Sequence, residues 1–174
     1  MRYISTRGQA PARDFSGVLL AGLAEDGGLF MPETWPHLSH ADLRELRGLP
    51  YAELAARVLH LFVGDAVPSE TLRAMCRDAY AGFGHPAVVP LVQLDAGLWT
   101  QELFHGPTLA FKDLAMQMLG RLFDHALAER GEKVTIVGAT SGDTGSAAIE
   151  ACRDREHIDI AILHPQGRTS EVQR

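Results

Sequence analysis

The sequence predicts an α/β fold in two parts: a mainly helical unit over residues 1–85 and the beginning of a parallel α/β sheet over residues 86–174. Helical patterns follow one another in the first part. In the second part, a strand, a loop, a helix and a second strand follow within about 30 residues, which is typical of a βαβ unit with a right-handed crossover. Such sheets usually have about five or six strands. We therefore expect the sheet to be incomplete in this chain.

Composition and charge argue against several classes of partner. Of the 174 residues, 46% are hydrophobic, and the formal net charge of −6 does not favour nucleic acid or an anionic membrane surface. No apolar run approaches the roughly 18 residues of a membrane span, and the beginning lacks the apolar stretch of a signal peptide. Cys76 and Cys152 lie far apart in helical patterns, so we expect buried free thiols and no metal site. We expect a soluble, cytoplasmic protein.

The first part is expected to contain short strands and four helices. Tyr3–Thr6 predicts a strand, and Asp14 is the expected N-cap of the first helix. Gly27–Gly28 forms a turn whose adjacent glycines permit positive φ and close backbone approach. Three more helices are expected to begin at Ser39, where Asp42 completes a capping-box pattern, at Pro50 and at Pro68.

The second part begins with a predicted hairpin. Val88–Leu94 and Leu98–Leu103 are strand-like and flank a turn. A helix should follow, with Thr108 as its possible N-cap and Gly131 as its C-terminal glycine. Two apolar strands are then expected at Lys133–Val137 and Ile158–Leu163, with a helix between them, and Thr169–Glu171 resembles the start of another helix.

A lysine lies where the helix after the hairpin is expected to begin. Within His105–Asp113, Lys112 falls in the predicted first turn, where the partial positive charge of the helix opposes its ammonium. The apolar residues Leu109–Phe111 would exclude water, which also favours the neutral amine needed for Schiff-base chemistry. The alternative is an ordinary exposed helix lysine, which is the common case for a lysine considered alone.

A second candidate site lies between the two apolar strands. Thr140–Gly145 follows the carboxyl end of a strand and precedes a helix, which is where open α/β sheets bind ligands. Backbone N–H groups and the hydroxyls of Ser141 and Thr144 can bind a carboxylate or a phosphate there. The loop lacks both the P-loop lysine and the G-x-G-x-x-G pattern, and Ser141 lacks the hydrolase elbow. A plain strand–helix turn remains the alternative.

A Schiff-base lysine followed by an anion-binding loop suggests an enzyme that uses pyridoxal phosphate. Three stretches, in order along the chain, resemble the threonine synthase family: Asp26–Pro32, His105–Asp113 and Ala139–Ala147. Other fold-type II enzymes, such as serine and threonine dehydratases, share the lysine and serine-glycine stretches in looser form. The first stretch and the full His105–Asp113 motif point to threonine synthase in particular.

The resemblance implies a fold-type II enzyme that converts O-phospho-L-homoserine and water to L-threonine and phosphate, the last step of threonine biosynthesis. It makes Lys112 the Schiff-base lysine of pyridoxal 5'-phosphate and the acid and base of the reaction, with Phe111 beside the cofactor. His105 and Thr108 are candidates for the phosphate site. The residues implied to hold the substrate carboxylate are Thr140, Ser141, Gly142, Asp143 and Thr144.

The sequence departs from the family pattern in two respects. Many relatives carry asparagine where this chain has Asp143, and a negative charge there would repel a carboxylate unless the side chain turns away or is protonated. The family also implies a cofactor-phosphate loop and a partner for the pyridine nitrogen, which these residues do not contain. We therefore expect an N-terminal portion whose site is completed by the remainder of the same polypeptide.

Three alternatives remain open from the sequence. One is a fold-type II dehydratase acting on free serine or threonine. Another is a non-catalytic fragment or module that keeps the fold. A nucleotide-binding α/β domain is the third, although the missing P-loop lysine and dinucleotide glycines disfavour it.

Overall fold

A computed structural model of the protein describes residues 1–173 and confirms the predicted α/β class. It contains two compact units, Met1–Cys76 and a second that begins at Arg77. The division between residues 85 and 86 remains a prediction. Among the described residues, no helix is both long enough and apolar enough to cross a membrane.

The first unit combines a small antiparallel sheet with helices. Strand β1 (Tyr3–Ser5) pairs with β2 (Phe30–Pro32), with Ile4 opposite Met31. The helices are α1 (Phe15–Ala21), α2 (His40–Glu45), α3 (Tyr51–Val63) and α4 (Ser69–Tyr80), the last of which begins in this unit.

Two predicted helix caps of this unit are present. The Asp14 side chain accepts a hydrogen bond from the Gly17 N–H at 2.8 Å. Ser39 and Asp42 form a reciprocal capping box, in which each side chain accepts from the backbone N–H of the other residue. These contacts satisfy N–H groups that have no acceptor within the helix, which is why short polar side chains mark these helix starts so clearly.

One carboxylate joins the loops around β1 and β2. Asp26 accepts hydrogen bonds from the Ser5 hydroxyl at 2.7 Å and from the N–H groups of Gly28, Gln9 and Ala10 at 2.9, 2.9 and 3.0 Å. The Ser5 hydrogen bond and these three backbone hydrogen bonds lower the pKa of Asp26 to about 2, against a partial desolvation that opposes the shift.

The adjacent glycines after Asp26 have the two roles predicted for them. Gly27 has a φ of 76°, in the left-handed region that favours glycine. Gly28 allows close approach, because a Cβ at this position would overlap the Ser5 hydroxyl oxygen. The Asp26–Pro32 motif therefore has a local structural explanation in the first unit.

The second unit contains the predicted hairpin and βαβ segment. Strands β3 (Leu91–Asp95) and β4 (Leu98–Gln101) are antiparallel. Helix α5 (Asp113–Arg130) ends at Gly131, whose φ of 64° and ψ of 28° are left-handed, as predicted. Strands β5 (Val134–Ala139) and β6 (Ile158–Leu163) pair in parallel and are joined by α6 (Asp143–Cys152).

Helices α5 and α6 form the core of this unit. A Cβ at Gly120 of α5 would overlap the Ala151 carbonyl oxygen of α6, so the two backbones approach as closely as a glycine permits. The buried residues of the two helices include Met118, Leu122, Ala126 and Leu127 of α5 and Ala147, Ala151 and Cys152 of α6.

Both cysteines are buried thiols outside any disulfide of the described residues, as predicted. Burial raises the pKa of the Cys152 thiol, which favours its protonated form.

The helix predicted to start at Thr169–Glu171 stays a prediction, because the described residues end at residue 173. Gln173 closes a turn there: its N–H donates to the Ser170 carbonyl oxygen at 3.1 Å, and its side-chain Oε1 accepts from the Ser170 N–H at 2.9 Å. The second of these hydrogen bonds is also half of a capping box, so the turn does not exclude a helix start.

We expect Asp26→Asn to lower the thermal unfolding midpoint at pH 7, because an amide cannot accept all the hydrogen bonds that the carboxylate accepts. Since the folded pKa of Asp26 is lowered from 3.8 to about 2, its contribution is fully present above pH 3.8 and is lost as the pH falls through about 2. Unfolding followed by circular dichroism from pH 7 to pH 2 should show the difference from wild type shrinking below pH 3.8. The exposed Asp65→Asn is the matched control; an equal loss in both variants would contradict the role given to Asp26.

We expect Gly120→Ala to lower the free energy of unfolding by about 1–3 kcal/mol, the usual cost of overpacking a core. The added methyl group would collide with backbone of α6, which cannot move aside as a flexible side chain would. Urea denaturation measures the change. Gly82→Ala is the control, because a Cβ at Gly82 meets nothing within 4 Å. A Gly120→Ala variant as stable as the control would refute the close approach.

Candidate functional site

Lys112 lies at the N-cap position of α5, one residue before the first turn in which it was predicted. Its φ and ψ of −63° and −26° are helical, and α5 begins at Asp113. The prediction that Thr108 caps the helix is wrong. Leu109 has a φ of 62°, so the chain leaves helical geometry between Thr108 and Lys112.

Asp113 organises the loop before Lys112. Its side chain is fully buried, with Oδ2 accepting from the Thr108 N–H at 2.8 Å and Oδ1 accepting from the Thr108 hydroxyl at 2.7 Å. A Cβ at Gly106 would lie 2.5 Å from Asp113 Oδ2, so the glycine makes room for this carboxylate. Thr108 therefore donates to the first residue of the helix instead of accepting from its N–H groups.

The Lys112 amine lies over an aromatic ring. Nζ is 4.3 Å from the centroid of the Phe111 ring, a cation–π distance. Within residues 1–173 the amine has no salt-bridge partner. The expectation that Leu109–Phe111 exclude water is not met by these residues, since Leu109 and Phe111 are 58% and 60% exposed and Ala110 alone is buried.

His105 is held by a neighbouring acid. Its Nε2 lies 2.7 Å from Glu102 Oε2, and its ring centroid is 5.2 Å from that of His85 and 4.7 Å from that of Phe104. The imidazole is thus oriented by the end of the hairpin. Its assignment to a phosphate site, like that of Thr108, stays a prediction.

The Thr140–Gly145 loop leads directly into α6. Gly142 is the N-cap residue, with a φ of 153°, and Asp143 is the first residue of the helix. The Ser146 hydroxyl donates to the Gly142 carbonyl oxygen at 3.0 Å. The N–H groups of a helix's first turn have no acceptor within the helix, so they are available to an anion at this end of α6.

The side chains of this loop divide into an exposed and a packed set. Ser141, Asp143 and Thr144 are exposed, so the hydroxyls of Ser141 and Thr144 can face a ligand. Thr140 Oγ1 is buried and, in the described part of the chain, has no hydrogen-bond partner. A Cβ at Gly145 would lie 2.5 Å from this oxygen, so only glycine fits there.

Sequence reasoning missed Gln173. Its side-chain Nε2 donates to Asp143 Oδ1 at 2.6 Å, across 30 positions of sequence. No local pattern marks this contact, because it depends on how the turn after β6 returns to the start of α6. The exposed negative charge of Asp143, next to a predicted anion site, was the available signal that some partner should exist.

A cavity of ≈ 290 Å³ joins parts of both motifs. It brings the start of the lysine motif close to the first turns of α6. The cavity is lined by Pro107, Thr108, Ser146, Ile149, Glu150, Arg153, Val172 and Gln173. The structure therefore places the two sequence-predicted stretches on one side of the second unit, although Lys112 and Ser141 do not line this cavity.

Known proteins resemble the whole chain. The family model "Threonine synthase N terminus" matches residues 2–80. A curated threonine synthase of Pseudomonas aeruginosa is 58% identical over 174 residues, which is 100% of this chain and 37% of the relative. Another, from Corynebacterium glutamicum, is 47% identical over 182 residues, covering 100% of this chain and 37% of the relative. The chain thus spans little more than a third of the length of these relatives.

Solved structures agree with the sequence matches. PLP-bound threonine synthase from Brucella melitensis aligns with a TM-score of 0.96 and 57% identity, covering 99% of this chain and 37% of that one. Threonine synthase from Escherichia coli aligns with a TM-score of 0.83 and 32% identity, covering 98% of this chain and 38% of that one. Both units of the chain lie within these alignments.

We expect Thr108→Val to lower the free energy of unfolding by about 1–3 kcal/mol, because a buried carboxylate oxygen of Asp113 loses its hydroxyl donor. Urea denaturation of the purified protein measures the loss. Thr108→Ser keeps the hydroxyl and is the matched control, with a smaller effect. Equal stability of Thr108→Val and wild type would show that the Thr108–Asp113 hydrogen bond does not hold this loop.

Proposed function

We propose that the chain is the N-terminal portion of a threonine synthase, a protein that converts O-phospho-L-homoserine and water to L-threonine and phosphate. The observation that carries this proposal is the 58% identity, over the whole chain, to a threonine synthase. Because the chain spans 37% of that relative, the activity is proposed for the protein that includes the remaining residues.

The proposed cofactor is pyridoxal 5'-phosphate, which the Brucella melitensis enzyme binds. The chain has two lysines, Lys112 and Lys133, and Lys112 alone lies in the family motif. Its amine has no salt-bridge partner among residues 1–173, and the exposed Phe111 ring beneath it offers an apolar surface to a flat cofactor. These features fit a covalent attachment at Lys112 Nζ. When bound, pyridoxal phosphate delocalises the electrons left on the substrate α-carbon.

Lys112 is also the proposed acid and base. Its Nζ would remove the proton from Cα of the substrate and then a proton from Cβ, and phosphate would leave from Cγ. Proton return to Cγ, addition of water at Cβ and proton return to Cα would then complete L-threonine. The Thr108–Asp113 hydrogen bonds hold the loop that precedes Lys112, so the backbone that carries the lysine has a defined position. Orientation of this kind is a large part of what a protein contributes to such a reaction.

The start of α6 is the proposed site of the substrate α-carboxylate. The backbone N–H groups of its first turn and the exposed hydroxyls of Ser141 and Thr144 are donors, and the helix dipole favours an anion there. Thr140, Gly142 and Asp143 complete the proposed loop. For the substrate phosphate, His105 is the better candidate, because the Thr108 hydroxyl already donates to Asp113.

We expect Lys112→Ala, in the full-length protein, to lower phosphate release from O-phospho-L-homoserine by about 10³-fold or more, since both proton transfers and cofactor attachment are lost. Lys133→Ala, at an exposed position, is the matched control and should retain activity. Borohydride reduction with pyridoxal phosphate, followed by peptide mass spectrometry, should add the cofactor mass to the Lys112 peptide and leave Lys133 unmodified.

Two results would overturn the proposal. Labelling of Lys133 with Lys112 unmodified would remove the assigned lysine. Keto-acid formation from threonine or serine, without phosphate release from O-phospho-L-homoserine, would instead identify a dehydratase.

A further inference from the structure

We propose that Gln173 is a positioning residue, which holds the Asp143 carboxylate away from the substrate carboxylate at the start of α6. This inference rests on the proposed function, because that function makes a substrate carboxylate the anion bound by the Thr140–Gly145 loop. It also accounts for the presence of an acidic side chain, Asp143, in a loop that is proposed to bind a carboxylate.

The Asp143 carboxylate and the proposed substrate carboxylate carry like charges and would lie close together. Asp143 is the first residue of α6, and its side chain is exposed beside the N–H groups that would bind the substrate. A free carboxylate at this position can turn toward the same N–H groups and compete for them. The cation that lines the neighbouring cavity does not neutralise Asp143, because Arg153 Nη2 is paired with Glu150 Oε2 at 2.7 Å.

Hydrogen bonds fix both ends of the Gln173 amide. Oε1 accepts from the Ser170 N–H at 2.9 Å, and Nε2 donates to Asp143 Oδ1 at 2.6 Å. Neither neighbour permits the reverse orientation, because a backbone N–H cannot accept and a carboxylate cannot donate. The turn closed by the Gln173 N–H and the Ser170 carbonyl oxygen holds the backbone from which the side chain reaches.

The amide also lies directly against the loop. A Cβ at Gly142 would lie 2.6 Å from Gln173 Cδ and 2.7 Å from both Nε2 and Oε1. The absence of a side chain at Gly142 therefore provides the space that Gln173 occupies. The turn after β6 is thus connected to the proposed carboxylate site by one packed side chain and one short hydrogen bond.

The test is a double-mutant cycle in the full-length protein: Gln173→Ala, Asp143→Asn and the two combined. With Asp143 present, we expect Gln173→Ala to raise KM for O-phospho-L-homoserine about ten-fold, with kcat within about two-fold, which corresponds to losing one hydrogen bond to a charged group. In the Asp143→Asn background, the same substitution should raise KM less than about two-fold. Gln166→Ala, an exposed glutamine of the same segment, is the control and should leave KM unchanged.

A second measurement does not depend on activity. In thermal unfolding, Gln173→Ala should lower the midpoint by about 2 °C when Asp143 is present and by less when residue 143 is asparagine. Equal KM ratios in both backgrounds, or the absence of coupling in the unfolding cycle, would overturn the positioning role. If the wild-type protein releases no phosphate, the proposed function fails, whereas unfolding still decides whether Gln173 holds Asp143.

Discussion

The hydrogen bonds between Thr108 and the buried Asp113 are the interaction on which the candidate site depends. They connect the loop that follows the hairpin to the first residue of α5, and so determine where the Lys112 backbone lies. A buried carboxylate is costly unless donors surround it, which makes the surrounding loop specific rather than adjustable. Gly106 is part of this arrangement because a larger residue would displace the carboxylate.

The first unit also combines a hydrogen-bonded carboxylate with a nearby glycine. Asp26 accepts hydrogen bonds from residues in and after β1 and from the N–H of Gly28, and Gly28 allows the close approach of Ser5. In both units an acidic side chain satisfies backbone N–H groups that lie outside regular structure, next to a glycine that gives it room. Two of the motifs that resemble the threonine synthase family therefore contain a structural acid–glycine pair as well as any residues that act on a substrate.

Local patterns were sufficient to predict most elements of the fold. The caps at Asp14 and Ser39, the left-handed glycine after α5 and the parallel pair β5–β6 each follow from residues close together in sequence. The wrong prediction of a cap at Thr108 came from backbone conformation, which residue type alone does not reveal. Thr108 has the side chain of a cap, but the positive φ of Leu109 and the reach of Asp113 give it another partner.

The candidate site was predicted less completely than the fold, because several of its contacts join residues that are distant in sequence. Its motifs were found from residue type and spacing, whereas the exposure of Phe111 and the contact between Gln173 and Asp143 depend on tertiary packing. The close contact between Gly120 and Ala151 joins α5 and α6 at matching distances from their starts. Gly120 lies eight residues after Lys112, and Ala151 lies eight residues after Asp143, which is about 12 Å along each helix axis. The close approach of the two helices at Gly120 therefore limits where the start of α5, with Lys112, can lie relative to the start of α6.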